Sequence, residues 1–264
     1  MSAILLRRVG REALRFIALL AVAALALQLC WLLRIASMAV VDPQSTTFQR
    51  SEAWRLLRAP KPLTWRHTWV AGDRIAPNLK RAVIAAEDAG FTEHHGIEWD
   101  ALERAWGRNQ RAEARVDAAN AQSNPRNRLA ASARPISPRE PKRVGGSTIT
   151  QQLAKNLFLS GERNWPRKAQ ELVIAGLLEA LLTKPRILEI YLNHVEWGEG
   201  TFGAQAAAQR HFRVDALDLG AAQAARLAVM LPAPKRFERQ GPSSAYLAGR
   251  AATVEARMGG VELP

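Results

Sequence analysis

The sequence predicts a mainly α protein with one N-terminal transmembrane helix. Three observations carry that reading. Residues 16–33 are an unbroken uncharged run, apolar side chains recur downstream at i, i+4 and i+8, and the Val/Ile/Thr alternation of half-buried strands is scarce.

The apolar run comes first. With Arg34 able to snorkel, it continues through Ile35 to Val41, giving the ~20 residues that cross a bilayer. Arg7, Arg8, Arg11 and Arg15 precede it, so the basic flank stays cytoplasmic and the remainder is exported. A cleaved signal has an apolar core of only ~7–15 residues, and Leu29 before Cys30 makes a poor lipoprotein site. A retained anchor is therefore expected. The chain divides into a cytoplasmic basic tail (1–15), the anchor (16–41), a juxtamembrane segment (42–74) and one domain (75–264).

At 264 residues with a formal net charge of +13, the chain can bury one substantial core. Its charge calls for anionic surroundings: nucleic acid, an anionic membrane surface or a phosphorylated substrate. The lone Cys30 excludes an internal disulfide and reads as a small hydrophobe.

In 42–74, residues 48–57 form a short amphipathic helix, and Trp54, Trp65 and Trp69 among Arg and Lys suit a membrane interface or a packed surface segment equally. Pro77 opens the next helix, in which Leu79, Val83 and Glu87 share one row. A carboxylate completing an apolar stripe is partly desolvated. Its proton affinity rises toward the range useful to a general base, unless its head simply reaches water at a frayed helix end. His94 and His95 are adjacent, the wrong spacing for two metal ligands on one helix face, and read as structural. Residues 107–143 are rich in Arg, Asn, Gln, Ala, Ser and Pro. They cannot bury much and read as a mobile flap or insertion.

Residues 144–171 commit the chain to a chemistry. A Gly-Gly turn meets Ser147, Thr148 and Thr150, each able to cap a helix. Ile149, Leu153 and Leu157 form its apolar row, with Gln151, Gln152, Lys155 and Asn156 on polar rows beside it. Free N–H groups at a helix start, followed by Lys155, Arg163, Arg167 and Lys168, describe an anion site suited to phosphate oxygens. A solvated basic face is the bland alternative. Glu171, a carboxylate among those cations leading an otherwise apolar row of Ala175, Leu178 and Leu182, argues against it.

Further helices are expected from Pro185 through Ile187, Leu188, Tyr191, Leu192 and Val195, all read as core, and over 204–210 and 219–231. Gly198-x-Gly200-x-x-Gly203 matches a dinucleotide fingerprint, but that motif needs a preceding strand and the preceding pattern is helical. It is discarded. Gly145-Gly-Ser147 lacks the second glycine of a nucleophile elbow, and neither Ser-x-x-Lys nor a Walker loop occurs.

Taken together, Glu87-Asp-x-x-Phe91-x-x-His94-x-Gly96, Gly145-Gly-Ser-Thr-Ile-Thr-Gln-Gln152-x-x-Lys155-Asn156, Arg167-Lys168-x-x-Glu171 and Ile187-Leu-Glu-x-Tyr191-Leu-Asn193 resemble the ordered motifs of the family 51 glycosyltransferases. These are the peptidoglycan glycosyltransferases that polymerise lipid II. The resemblance implies a lysozyme-like glycosyltransferase domain facing the periplasm from the inner membrane. It implies Glu87 as the base that deprotonates the acceptor 4-hydroxyl. Glu171, Lys155 and Arg163 would surround the departing undecaprenyl diphosphate, Arg167 and Lys168 would add to that anion site, and Ser147, Gln151 and Gln152 would line the cleft.

The implied partners are lipid II, the growing lipid-linked glycan, the membrane, and proteins of cell-wall synthesis or division, with no nucleic acid. No organic cofactor is implied; some members use a divalent cation, Mg or Mn, at the diphosphate. Gln170 stands where some relatives have Lys. A lytic glycosidase acting on finished glycan and a non-catalytic, membrane-anchored binder of anionic polymer are the alternatives. The first would need no diphosphate site, and the second no glutamates.

Overall fold

A computed structural model describes residues 3–60, 62, 64–99, 103, 107–108, 110–112, 114–116, 146–159, 161–162, 164–241 and 244–264. Helix α1 (Ala3–Ser37) contains the apolar span, and Gly10–Ser37 is long and apolar enough to cross a membrane, its most apolar 18 residues having a mean hydropathy of 2.5. Leu14 to Leu33 present exposed apolar side chains, whereas Ile35 and Met38 at its far end are buried in the domain core. The chain there is locked by Arg186, which donates from Nε to the Met38 carbonyl at 2.8 Å and from Nη2 to Asp42 at 2.7 Å. Gln28 donates to Gln170, the residue before Glu171, at 3.2 Å.

Helix α2 (Thr47–Leu57) opens with a reciprocal cap between Thr46 and Gln49. It buries Gln49 and Leu56 while Trp54 and Leu57 stay exposed, so it is both packed on the domain and apolar outward. Helix α3 (Pro77–Glu87) starts on its proline and buries Leu79 and Val83. Helix α4 (Ile149–Phe158) is capped by Thr148, whose hydroxyl accepts from Gln151 N–H, and the row Ile149, Leu153, Leu157 is fully interior. Asn164 caps α5 (Trp165–Leu181), and Thr183 precedes α6 (Lys184–His194). Then come α7 (Ala204–Phe212), α8 (Ala221–Met230), α9 (Pro234–Gln240) and α10 (Ala245–Met258). Helix α3 packs on α8 and α10, and α4 packs on α2, α5 and α6, around one continuous core.

The small sheet is a departure from the helical expectation. Strands β1 (Arg66–His67), β2 (Glu196–Gly198) and β3 (Thr201–Phe202) form the order β1-β3-β2. β1 runs parallel to β3 with Arg66 opposite Thr201, and β2 runs antiparallel to β3. The discarded glycine pattern is therefore entered through a strand, not a helix, and is a hairpin. Its glycines serve close approach. Gly200 has φ 65° and a Cβ there would lie 1.9 Å from the Thr64 carbonyl oxygen, while Gly203 has φ 84° and its Cβ would lie 2.6 Å from that of Asn193. Of the segment read as a flap, 107–108, 110–112 and 114–116 are helical; the rest lies outside the described residues.

Candidate active site

The motif after α3 and the motif that starts α4 are joined by hydrogen bonds. Asp88, buried at 5% exposure, accepts from Ile149 N–H through Oδ2 at 2.9 Å and faces His94 Nε2 through Oδ1 at 2.8 Å. His94 Nδ1 accepts from Gly96 N–H at 3.1 Å, which leaves the ring proton on Nε2 for Asp88. The Thr148 hydroxyl donates to the Gly96 carbonyl at 2.6 Å. His94 is structural, as its spacing suggests, and it aims the start of α4. Ligand atoms of Asp88, His94 and Glu98 come within 4.8 Å of one another, but the Asp88 and His94 atoms already have these partners.

Helices α2, α4 and α5, the β2 strand and the α8–α9 turn enclose a cleft of about 550 Å³. Ser147, Gln151, Gln152, Lys155, Arg167, Lys168 and Glu171 all line it. Glu171 is 3% exposed; Arg167 Nη1 donates to its Oε2 at 2.9 Å and Lys168 Nζ to its Oε1 at 2.5 Å. The i, i+3 and i, i+4 spacing on α5 produces this fork. Lys155 is exposed in the cleft from α4. Arg163 lies outside the described residues.

Glu87 does not line this cleft directly; Gln152 stands between. Its Nε2 donates to Glu87 Oε2 at 2.9 Å, and its Oε1 accepts from the Tyr191 hydroxyl at 2.9 Å. Burial pushes the Glu87 carboxyl up from the ordinary range, partly offset by the Gln152 hydrogen bond and by the charges of Arg250 and Lys155. A half-buried carboxylate that still has a donor and cations near it is suited to holding and releasing a proton.

Sequence reasoning missed part of the lining. Phe48, Ser51, Glu52, Glu162 and Glu196 also face the cleft, so it is not uniformly cationic. Lys235 Nζ joins Glu52 at 2.5 Å and sits 3.4 Å from Glu196 Oε1, an ionic contact outside hydrogen-bonding geometry that leaves this buried oxygen without a donor. Burial pushes Glu196 up to about 7. These residues come from α2, β2 and α9, and no local spacing announces them. Tyr191 was legible only as core; its ring is core, and its buried hydroxyl donates to the Gln152 amide.

Among the described lining residues, no three His, Asp or Glu ligand atoms gather within reach of one another. Both Glu171 oxygens already accept from cations, and among the described residues the one close grouping of His, Asp and Glu ligand atoms lies outside the cleft.

A helical domain with an N-terminal apolar helix, a polar cleft lined by both cations and carboxylates and a half-buried glutamate behind it agrees with the comparisons. Residues 59–119 and 124–259 match the Transglycosylase family, so the chain belongs to that family of glycosyl-transferring enzymes, with its lysozyme-like domain. It is 50% identical over 240 residues, 91% of this chain and 83% of the relative, to a biosynthetic peptidoglycan transglycosylase of Burkholderia thailandensis. A protein of the same name from Paraburkholderia phytofirmans is 47% identical over 247 residues, covering 94% and 91% of the two chains.

Proposed function

We propose that this enzyme is a peptidoglycan glycosyltransferase that polymerises lipid II into β-1,4 glycan strands, anchored by α1 in the inner membrane with its N-terminus cytoplasmic and its catalytic domain periplasmic. The observation that carries the reading is one acidic side chain in the cleft and a second directly behind its lining. Glu171 sits in it with Arg167 and Lys168, and Glu87 is one hydrogen bond away through Gln152.

Converting an α-linked diphosphate into a β-1,4 glycoside inverts the anomeric centre in one displacement, which needs one base and no covalent enzyme intermediate. Glu87 takes the proton from the acceptor 4-hydroxyl as that oxygen attacks the donor C1. The bond from C1 to the diphosphate oxygen breaks, and the diphosphate leaves with the electron pair. General-base help is typically ~10²–10⁴-fold, or roughly 3–5 kcal/mol. Lys155, with Arg163 from the sequence motif, stabilises the departing charge by ~1.5–3 kcal/mol per charge-assisted bond. Arg167 and Lys168 supply further cations while holding Glu171. A divalent cation at the diphosphate would supply further charge neutralisation of the leaving group. Proteins of cell-wall synthesis or division are the partners expected beside it.

The test is incubation of the purified protein with lipid II, with and without chelator, and separately with sacculi. Glycan polymer from lipid II is expected. Muropeptides released from sacculi, with no polymer from lipid II, would overturn the reading in favour of lysis.

A further inference from the structure

We infer that Tyr191 is a positioning residue for the reaction, its hydroxyl deciding which end of the Gln152 amide faces Glu87. The inference rests on Glu87 as the base. Tyr191 belongs to α6 and is 1% exposed, yet its hydroxyl reaches Gln152 Oε1, and the other end of that amide reaches Glu87. An amide can turn over, so this chain of groups has two arrangements. In the observed one, the phenol O–H donates to the Gln152 carbonyl and the NH₂ donates to a carboxylate. In the reverse, the carbonyl faces Glu87, which must then carry a proton to donate. The NH₂ turns to the phenol oxygen, and the phenol proton loses its acceptor.

A buried donor left unpaired costs about 1–3 kcal/mol. Tyr191 therefore biases Gln152 toward the orientation that suits ionised Glu87, the form that can accept a proton. Phenylalanine would remove the bias, since each orientation would then leave one end of the amide unpaired. Burial and the charges of Glu87 and Asp88 drive the Tyr191 phenol well above its ordinary range, so it stays a neutral donor. Around Glu87, Lys155 from α4 and Arg250 from α10 favour the ionised form and Asp88 opposes it. Helix α8, also packed on α3, carries Arg226 as its charged residue.

The experiment is the pH dependence of kcat/KM for lipid II polymerisation by the full-length protein, wild type against Tyr191→Phe, with thermal unfolding of both. The expected result is an acid limb moved to higher pH, so that Tyr191→Phe is about three- to tenfold slower on that limb and within about twofold on the plateau, with KM unchanged. A second variant covers the case in which Phe does not fold. 3,5-Difluorotyrosine incorporated into a Tyr246→Phe background, where Tyr191 is the remaining tyrosine, keeps the hydroxyl and makes it a stronger donor. Measured against Tyr246→Phe alone, which itself removes the Arg250 contact to the Tyr246 hydroxyl, it should move the limb the other way. Coincident profiles, or an equal loss at every pH with a raised KM, would overturn the inference. A wild type that makes no polymer at any pH would overturn the proposed function and this inference with it.

Discussion

The Asp88 carboxylate holds the Ile149 backbone N–H at 2.9 Å, tying the residue after α3 to the first residue of α4 across 61 positions of sequence. The base helix and the helix that carries Gln152 and Lys155 are thereby set against each other. Asp88→Asn keeps the size but loses the charge and half the acceptors, leaving His94 Nε2–H or Ile149 N–H in conflict with an amide. A loss of about 1–3 kcal/mol in stability is expected, seen as a lower melting temperature, together with at least tenfold slower polymerisation.

Glu87→Gln is isosteric and cannot accept the proton. Polymerisation of lipid II should fall by ~10²-fold or more, while binding of an undecaprenyl diphosphate analogue, measured by titration, stays close to wild type. Substantial residual turnover would remove Glu87 from its role.

Lys155→Ala deletes an exposed cleft cation that would bear on the diphosphate before and after bond cleavage. Affinity for the analogue and kcat should both drop, by roughly tenfold each for a charge-assisted bond of ~1.5–3 kcal/mol. Unchanged kinetics would exclude it from the site.

His194 and Glu196 respond to pH with opposite signs. Burial first, then the charge of the nearby His67, pushes His194 down to about 4. Its contribution is complete above the unfolded pKa near ~6.5 and drains away as pH falls toward 4. Glu196, raised to about 7 mainly by burial, keeps a proton that the unfolded chain gives up near ~4.3, so stability falls as pH rises from there to 7. Each slope is at most about 1.4 kcal/mol per pH unit, and in the overlap they cancel. Melting temperatures between pH 4 and 8 should therefore show His194→Gln losing stability more steeply with rising pH than wild type. Glu196→Gln should gain most at pH 8 and nothing near pH 4. Parallel curves for all three proteins would refute the assignment.

Local pattern carried the helices and much of the cleft. The row Ile149, Leu153, Leu157 and the Thr148 cap needed only helical spacing, and Arg167, Lys168 and Glu171 needed only i, i+3 and i, i+4. The sheet was illegible because β2 has three residues and β3 two, too few for alternation to register. Glu52, Glu196 and Lys235 meet through that sheet and its packing on α9, which is tertiary information. Tyr191 shows a further limit: its spacing reveals that the ring is interior but not which acceptor its hydroxyl finds.

The long apolar helix α1 ends inside the domain, with Ile35 and Met38 in the core and Gln28 bonded to the neighbour of Glu171. Helix α1 and the cleft are thus joined by direct contacts. If α1 spans the bilayer as proposed, a thinner or thicker bilayer would be met by tilt, and that tilt would move the mouth of the cleft relative to the headgroup layer, so lipid acyl length would bear on how readily a lipid-borne substrate reaches it.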